Sequence, residues 1–166
     1  MERVKDEHFE EFLSGPLAEF LPLSTLTLAT SGPNGEPHAA PVYFAASHNN
    51  SLTPKAPLRL YFFSDIKSQH AQDVARTPLS AVALYPECQG WRDIRGLQMH
   101  GETLQVPPGA EWDQAWEVYQ VKFPFVTAFK AVVARNILYG FTPHWIRLVD
   151  NRRGFGFKVE WKRDEH

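Results

Sequence analysis

Cysteine occurs once, at Cys88, so the chain holds no internal disulfide and no cysteine-based metal site. Long apolar runs are missing as well. No stretch reaches the roughly 20 apolar residues that span a bilayer, so no membrane partner is expected. An excess of one charge is absent: at a net charge of −2 there is no electrostatic footprint for DNA or RNA. The opening MERVKDEHFEEF is charged and has no apolar centre. It does not read as a secretory signal, and the expected location is the cytoplasm. Catalytic signatures are equally scarce. No GxSxG elbow is present, and Cys88 has no nucleophile signature around it. The seven histidines form no HxxxH or HExxH pair, so no structural zinc is expected. His8, His48 and His166 read as solvated, whereas His38, His70, His100 and His144 fall near strands or helix starts. Gly154-Phe155-Gly156-Phe157 lacks the third glycine of a dinucleotide fingerprint and precedes a strand, so it reads as a tight turn. An enzyme built this way would lean on a bound cofactor rather than a side-chain triad.

What is present is a core. The 166 residues are 43% hydrophobic and 13% aromatic, which suits one globular domain with a barrel or sandwich interior. Some rings could line a planar cofactor, but most are expected to pack. Residues 1–20 contain a short helix from about Asp6 to Phe20, with Phe9, Phe12 and Leu13 on one face and Gly15-Pro16 interrupting it. Residues 23–106 hold most of the strands. LSTLTLAT alternates cleanly, SGPNGEP is dense in turn residues, and HAAPVYFAA from His38 to Ala46 closes a hairpin. Pro41 has no N–H to donate, which places it at an edge, at a bulge or facing a ligand. Residues 47–57 form a polar loop.

LRLYFFSDIKSQHAQDVARTP, from Leu58 to Pro78, reads as a strand, a polar turn and a short helix. Ser68 stands at the helix N-cap, Ala71, Val74 and Ala75 share a core face, and Pro78 ends the helix. Such a joint suits an anion. A helix start carries unpaired amides, Ser64 and Ser68 add hydroxyls, and Lys67 and His70 add basic groups. An ordinary capped helix is the alternative. LSAVALY, Leu79–Tyr85, reads as a strand buried on both faces. Asp93 to Val106 reads as a long strand in which Gly96 and Gly101 mark a bulge or a close approach. Residues 110–134 read as a helical insertion, divided by Pro124 into Glu111–Lys122 and Phe125–Ala134. Residues 137–162 read as two closing strands, Ile137–Asp150 and Gly154–Lys162. Hairpin-length connections without βαβ alternation favour a mainly β antiparallel barrel with helices packed on it.

In order, LSTLTLATSGPNGEPHAAPVYF, LRLYFFSDIKSQHAQDVARTPLSAVAL and IRGLQMHGETLQV resemble the pyridoxamine 5′-phosphate oxidase-related family, the FMN-binding split barrels. The C-terminal KFP, IRLVDN and GFGFKVEWKRD are similar to a little-characterised bacterial branch of it. The resemblance implies a six-stranded antiparallel Greek-key split β-barrel with peripheral helices, a homodimer, and FMN in a groove between two subunits. It implies that Phe63 and Ser64 meet the ribityl-phosphate arm, and that Ser68, Gln69 and His70 occupy the S-x-K positions beside Lys67. His38, Ala39, Ala40, Pro41, Val42 and Tyr43 would lie along the isoalloxazine and phosphate, and Arg95, Gly96 and Leu97 would reach the flavin from the partner. His70 replaces the family lysine and removes a permanent charge. The arginine block of the vitamin B6 oxidases has no match, so B6 oxidation is not expected. The expected function is that of an FMN-binding oxidoreductase of unidentified substrate. Two alternatives stand beside it: a cofactor-free interaction dimer, and a haem-binding barrel using His38, His70 or His100.

Overall fold

The structure, a computed structural model, describes residues 1–53, 56–133 and 135–164. His166, the end of the expected helix at Ala134, and positions 54 and 55 of the polar loop lie outside the described residues. The expected hairpin forms from β2 (Thr25–Ser31) and β3 (Pro37–Tyr43), closed by Gly35 at φ +82°. That left-handed backbone is open to glycine and costly for most side chains. β4 (Ala45–His48) pairs with β5 (Leu58–Ser64), and β6 (Leu79–Leu84) pairs with β7 (Arg95–Gln105) and β2. β8 (Ile137–Asp150) is the spine. One side of it carries β7 along most of its length. The other carries β5 over Ile137–Phe141 and β9 (Lys158–Lys162) over Trp145–Val149. The sheet is split at this strand.

The fold is the expected mainly β barrel with accessory helices. The strand count differs: nine strand segments form among the described residues, and one pair is parallel, β1 (Glu2–Val4) against β9. Expected His38–Ala46 is two strands, because Phe44 turns wholly into the core between β3 and β4. β6 is not buried on both faces. Val82 and Leu84 face the core, whereas Leu79 is 64% exposed and Ala81 and Ala83 are half-buried. Pro41 sits on β3, which among the described residues pairs with β2 alone, so the missing N–H lies at an edge as its chemistry requires. The β7 ladder bulges between His100 and Gly101, at one of the two expected glycines. β9 begins only at Lys158, since Gly154 (φ +134°) and Gly156 (φ +73°) form the tight turn before it.

The barrel interior holds Leu26, Leu28, Phe44, Leu60, Phe62, Met99, Phe141, Ile146 and Trp161. α1 (Phe9–Ser14) is shorter than expected, and its Phe9, Phe12 and Leu13, followed by Leu17 and Phe20, belong to this core. α3 (Ala110–Lys122) joins a second cluster, where Trp116 and Tyr119 pack with Ala45, Phe123 and Val126. The expected helix Phe125–Ala134 is instead a 3-10 segment, Pro124–Phe129, and one turn of α4 (Lys130–Val133).

Candidate functional site

The joint between β5 and α2 (Gln69–Arg76) is built largely as its residues dictate. Asp65 forms the turn: its Oδ1 accepts the Lys67 amide at 2.8 Å, and its carbonyl accepts the Ser68 amide at 3.0 Å. Ser68 is extended (φ −64°, ψ 152°), and its Oγ accepts from the Ala71 amide at 3.3 Å. The Gln72 amide goes to the Ser68 carbonyl, and among the described residues the amides of Gln69 and His70 have no backbone acceptor. The buried face of α2 is Ala71, Asp73 and Val74; Ala75, expected there, is exposed.

Three side chains converge at this start. Ser64 Oγ shares a hydrogen bond of 2.5 Å with His70 Nε2 and one of 3.1 Å with Ser68 Oγ. Burial holds the His70 imidazole below its ordinary pKa, and Asp73 pulls weakly the other way. A histidine kept neutral here offers a hydrogen bond where lysine would offer charge. Lys67 is exposed beside it.

Beneath α2 lies a residue the sequence reading missed. Asp73 is 1% exposed and receives Thr30 Oγ1 at 2.7 Å, His38 Nδ1 at 2.7 Å and Gln69 Nε2 at 3.0 Å. Burial pushes its carboxyl up, but the hydrogen bonds from His38, Thr30 and Gln69 outweigh this and hold it below the usual range. The available signal was a carboxylate between two apolar residues of the core face. Its consequence is that His38 and Gln69 fasten α2 to β3, and His38 keeps only Nε2 uncommitted among the described residues.

The outer sheet face beside this joint carries mostly small residues. Register places Pro41, Thr27, Ala83 and Gln98 in one cross-strand row, and Ala39, Ala29, Ala81 and His100 in the next. Tyr43, 53% exposed, stands at one end against Phe123 and Phe125. His100 stacks on Trp145 at 4.5 Å. Of the other β3 residues expected in the site, Ala40 is half-buried and Val42 is in the core.

The remaining expected residues lie elsewhere. Phe63 turns its ring away from the joint and packs edge-on against Trp112, Trp116 and Tyr119, leaving only its backbone beside Ser64. The strand pleat explains this, since Phe63 faces α3 while its neighbours face the barrel. Leu97 is 1% exposed and sits in the core. Arg95 is held by Glu19, Nε to Oε2 at 3.3 Å, and by the Asp93 carbonyl at 3.1 Å. Gly96 allows close packing, as a Cβ there would come within 2.9 Å of the Leu84 carbonyl. Arg95, Gly96 and Leu97 open β7 and do not join the Ser64 cluster within one chain.

Two further groups gave no sequence signal. Lys122 Nζ donates to the carbonyls of Leu21 (2.9 Å) and Leu23 (2.6 Å), and burial pushes its pKa down to about 8. Arg59 and Tyr61 share Glu111 Oε1 at 2.6 and 2.9 Å, and burial foremost pushes the Tyr61 phenol up to about 12. Both ties bind α3 to the barrel.

A split barrel with a capped helix start beside an outer face of mostly small residues defines a recognisable class, the split barrels related to pyridoxamine 5′-phosphate oxidase. The family model described as "Pyridoxamine 5'-phosphate oxidase" matches residues 7–150, and the chain belongs to that family. Among curated proteins it is similar to UPF0306 protein YhbP of Salmonella paratyphi A, at 32% identity over 105 residues, covering 63% of this chain and 67% of that protein. Among solved structures it is similar to Campylobacter jejuni ChuZ, with a TM-score of 0.73 at 16% identity, covering 92% of this chain and 60% of that one. A haem-binding protein from Mycobacterium smegmatis follows (TM-score 0.66, 15% identity, 87% and 56% covered). So does an FAD-binding protein from Mesorhizobium loti (TM-score 0.57, 16% identity, 78% and 88% covered). These structural likenesses establish the fold.

Proposed function

We propose that the chain is an FMN-binding oxidoreductase that works as a homodimer, with the phosphate at the β5–α2 joint and the ring along the β3 face. The observation that carries this reading is the donor set at the start of α2: the Ser64 and Ser68 hydroxyls, two unpaired amides, and an exposed ammonium at Lys67. This set fits a phosphate. The nearest buried carboxylate, Asp73, is already saturated by three donors. The face of Ala39, Pro41, Ala81 and Ala83 leaves room for a planar ring and for a second subunit to close over it. FMN, when bound, supplies the electron transfer. The protein's part is to grip the phosphate, to keep the ring against an apolar wall and to limit water. Arg95 of the second subunit would set a positive charge near the ring edge.

One observation favours a second reading. His100 is exposed on the same face, stacked on Trp145, where it could serve as an axial ligand, and one structural neighbour is named as haem-binding. Calorimetric titration of the full chain with FMN and, separately, with haemin decides between them. The FMN reading expects one flavin per chain, with affinity lowered severalfold by Ser64→Ala. Haem binding with an intense Soret band that His100→Ala abolishes, and no response to FMN, would replace it. A chain that binds neither is the cofactor-free dimer.

A further inference from the structure

A cleft of about 400 Å³ opens at the opposite end of β5 from Ser64. Six residues of strand, roughly 20 Å at 3.3 Å per residue, separate the two. Leu52, Ala56 and Leu104 give it apolar walls, and Arg163 closes it just beyond β9. Two of the four buried side-chain polar atoms that lack a partner among the described residues, Thr53 Oγ1 and Arg163 Nη2, belong to residues that line this cleft. Native structures rarely leave such atoms unpaired. The Arg163 guanidinium makes no hydrogen bond or ion pair among the described residues; only its backbone amide is used, by the His144 carbonyl. The nearby carboxylate of Asp6 is already committed, accepting from Trp161 Nε1 at 2.7 Å and from the Asp164 amide at 3.0 Å.

We propose that this cleft is a binding site for a small organic carboxylate, with the Arg163 guanidinium as its charge partner, the Thr53 hydroxyl as its second donor, and the apolar walls around its body. The volume suits a small ligand. A planar guanidinium fork with an unused edge matches a carboxylate better than a point charge would. Burial also holds the Arg163 pKa below its ordinary value, against Asp6 and Glu102, so the cation lacks full compensation and gains from an anion. Glu102 also lines the cleft, 4.0 Å from His144 Nε2. Nothing in this site touches the β5–α2 joint, so it stands whether or not FMN binds there.

The test uses the 15N-labelled full chain titrated with acetate, benzoate and 4-methylpentanoate, following the Arg163 Nε–H signal, with benzamide and inorganic phosphate as comparisons. Saturable binding of a carboxylate, and none of benzamide, is expected. Arg163→Gln should weaken it by about tenfold or more and Thr53→Val severalfold, with unchanged circular dichroism. If Arg163→Gln fails to fold, Thr53→Val and the Nε–H shift of the parent chain carry the test. The proposal is overturned if no carboxylate moves the Arg163 signal, if phosphate alone does, or if the variants bind as the parent does.

Discussion

At the scale of single residues, His70 and Asp73 decide how the joint behaves. Because burial lowers the His70 pKa, the unfolded chain takes up a proton near pH 6.5 that the folded protein resists. Stability is therefore full above about pH 6.5 and falls as the pH drops below it. Urea midpoints measured between about pH 7.5 and about pH 5 should show this decline, and His70→Asn should flatten it. His70→Lys restores a permanent cation beside the Ser64 and Ser68 hydroxyls; if the joint holds FMN as proposed, it should raise FMN affinity by about tenfold in calorimetry. Asp73 acts in a more acidic window. Its lowered pKa adds stability above the unfolded carboxylate value, and this is lost as the pH falls through the folded one. Asp73→Asn keeps the shape but turns an amide N–H₂ toward groups that donate. It should cost about 2–3 kcal/mol in denaturant unfolding. Ser68 was legible as a cap from its place before an apolar-spaced helix. Asp73 was not, because its partners Thr30 and His38 come from strands more than thirty positions away.

Elements followed local pattern where that pattern had a single reading. β8 matches its expected bounds, and β5 ends where Ser64 and Asp65 interrupt the aromatic run. β6 misled because small residues mimic a buried strand. Ala81 and Ala83 line an open face, and nothing in their side chains distinguishes a core from a surface kept smooth for a ligand or a second subunit. The β3–β4 break was hidden for a similar reason, since Phe44 fits both a strand interior and the corner it occupies. Gly101 shows what a correctly read glycine implies. A Cβ there would press on Phe141 and on the Pro143 backbone at 2.9 Å, so Gly101→Ala should lower stability by about 2 kcal/mol or more, read from its urea midpoint.

For the whole molecule, the barrel was legible because hairpin-length connections leave few topologies, whereas the pairing of β1 with β9 joins residues more than 150 positions apart and leaves no local trace. The assembly is the larger question. If the Ala39–Ala81 face is closed by a second subunit, Ala81→Arg should convert a dimer to a monomer by light scattering and abolish FMN binding in the same step. A variant that stays dimeric moves the interface elsewhere.

The β1–β9 seam has a consequence for synthesis. Phe9 packs on Trp161 at 4.3 Å, and Asp6 bonds the indole of the same residue. Residues 6–9 are therefore made long before Trp161 and must wait, unanchored, for it. Until then a nascent chain carries Phe9 uncovered, which makes that ring a natural place for a chaperone to hold it.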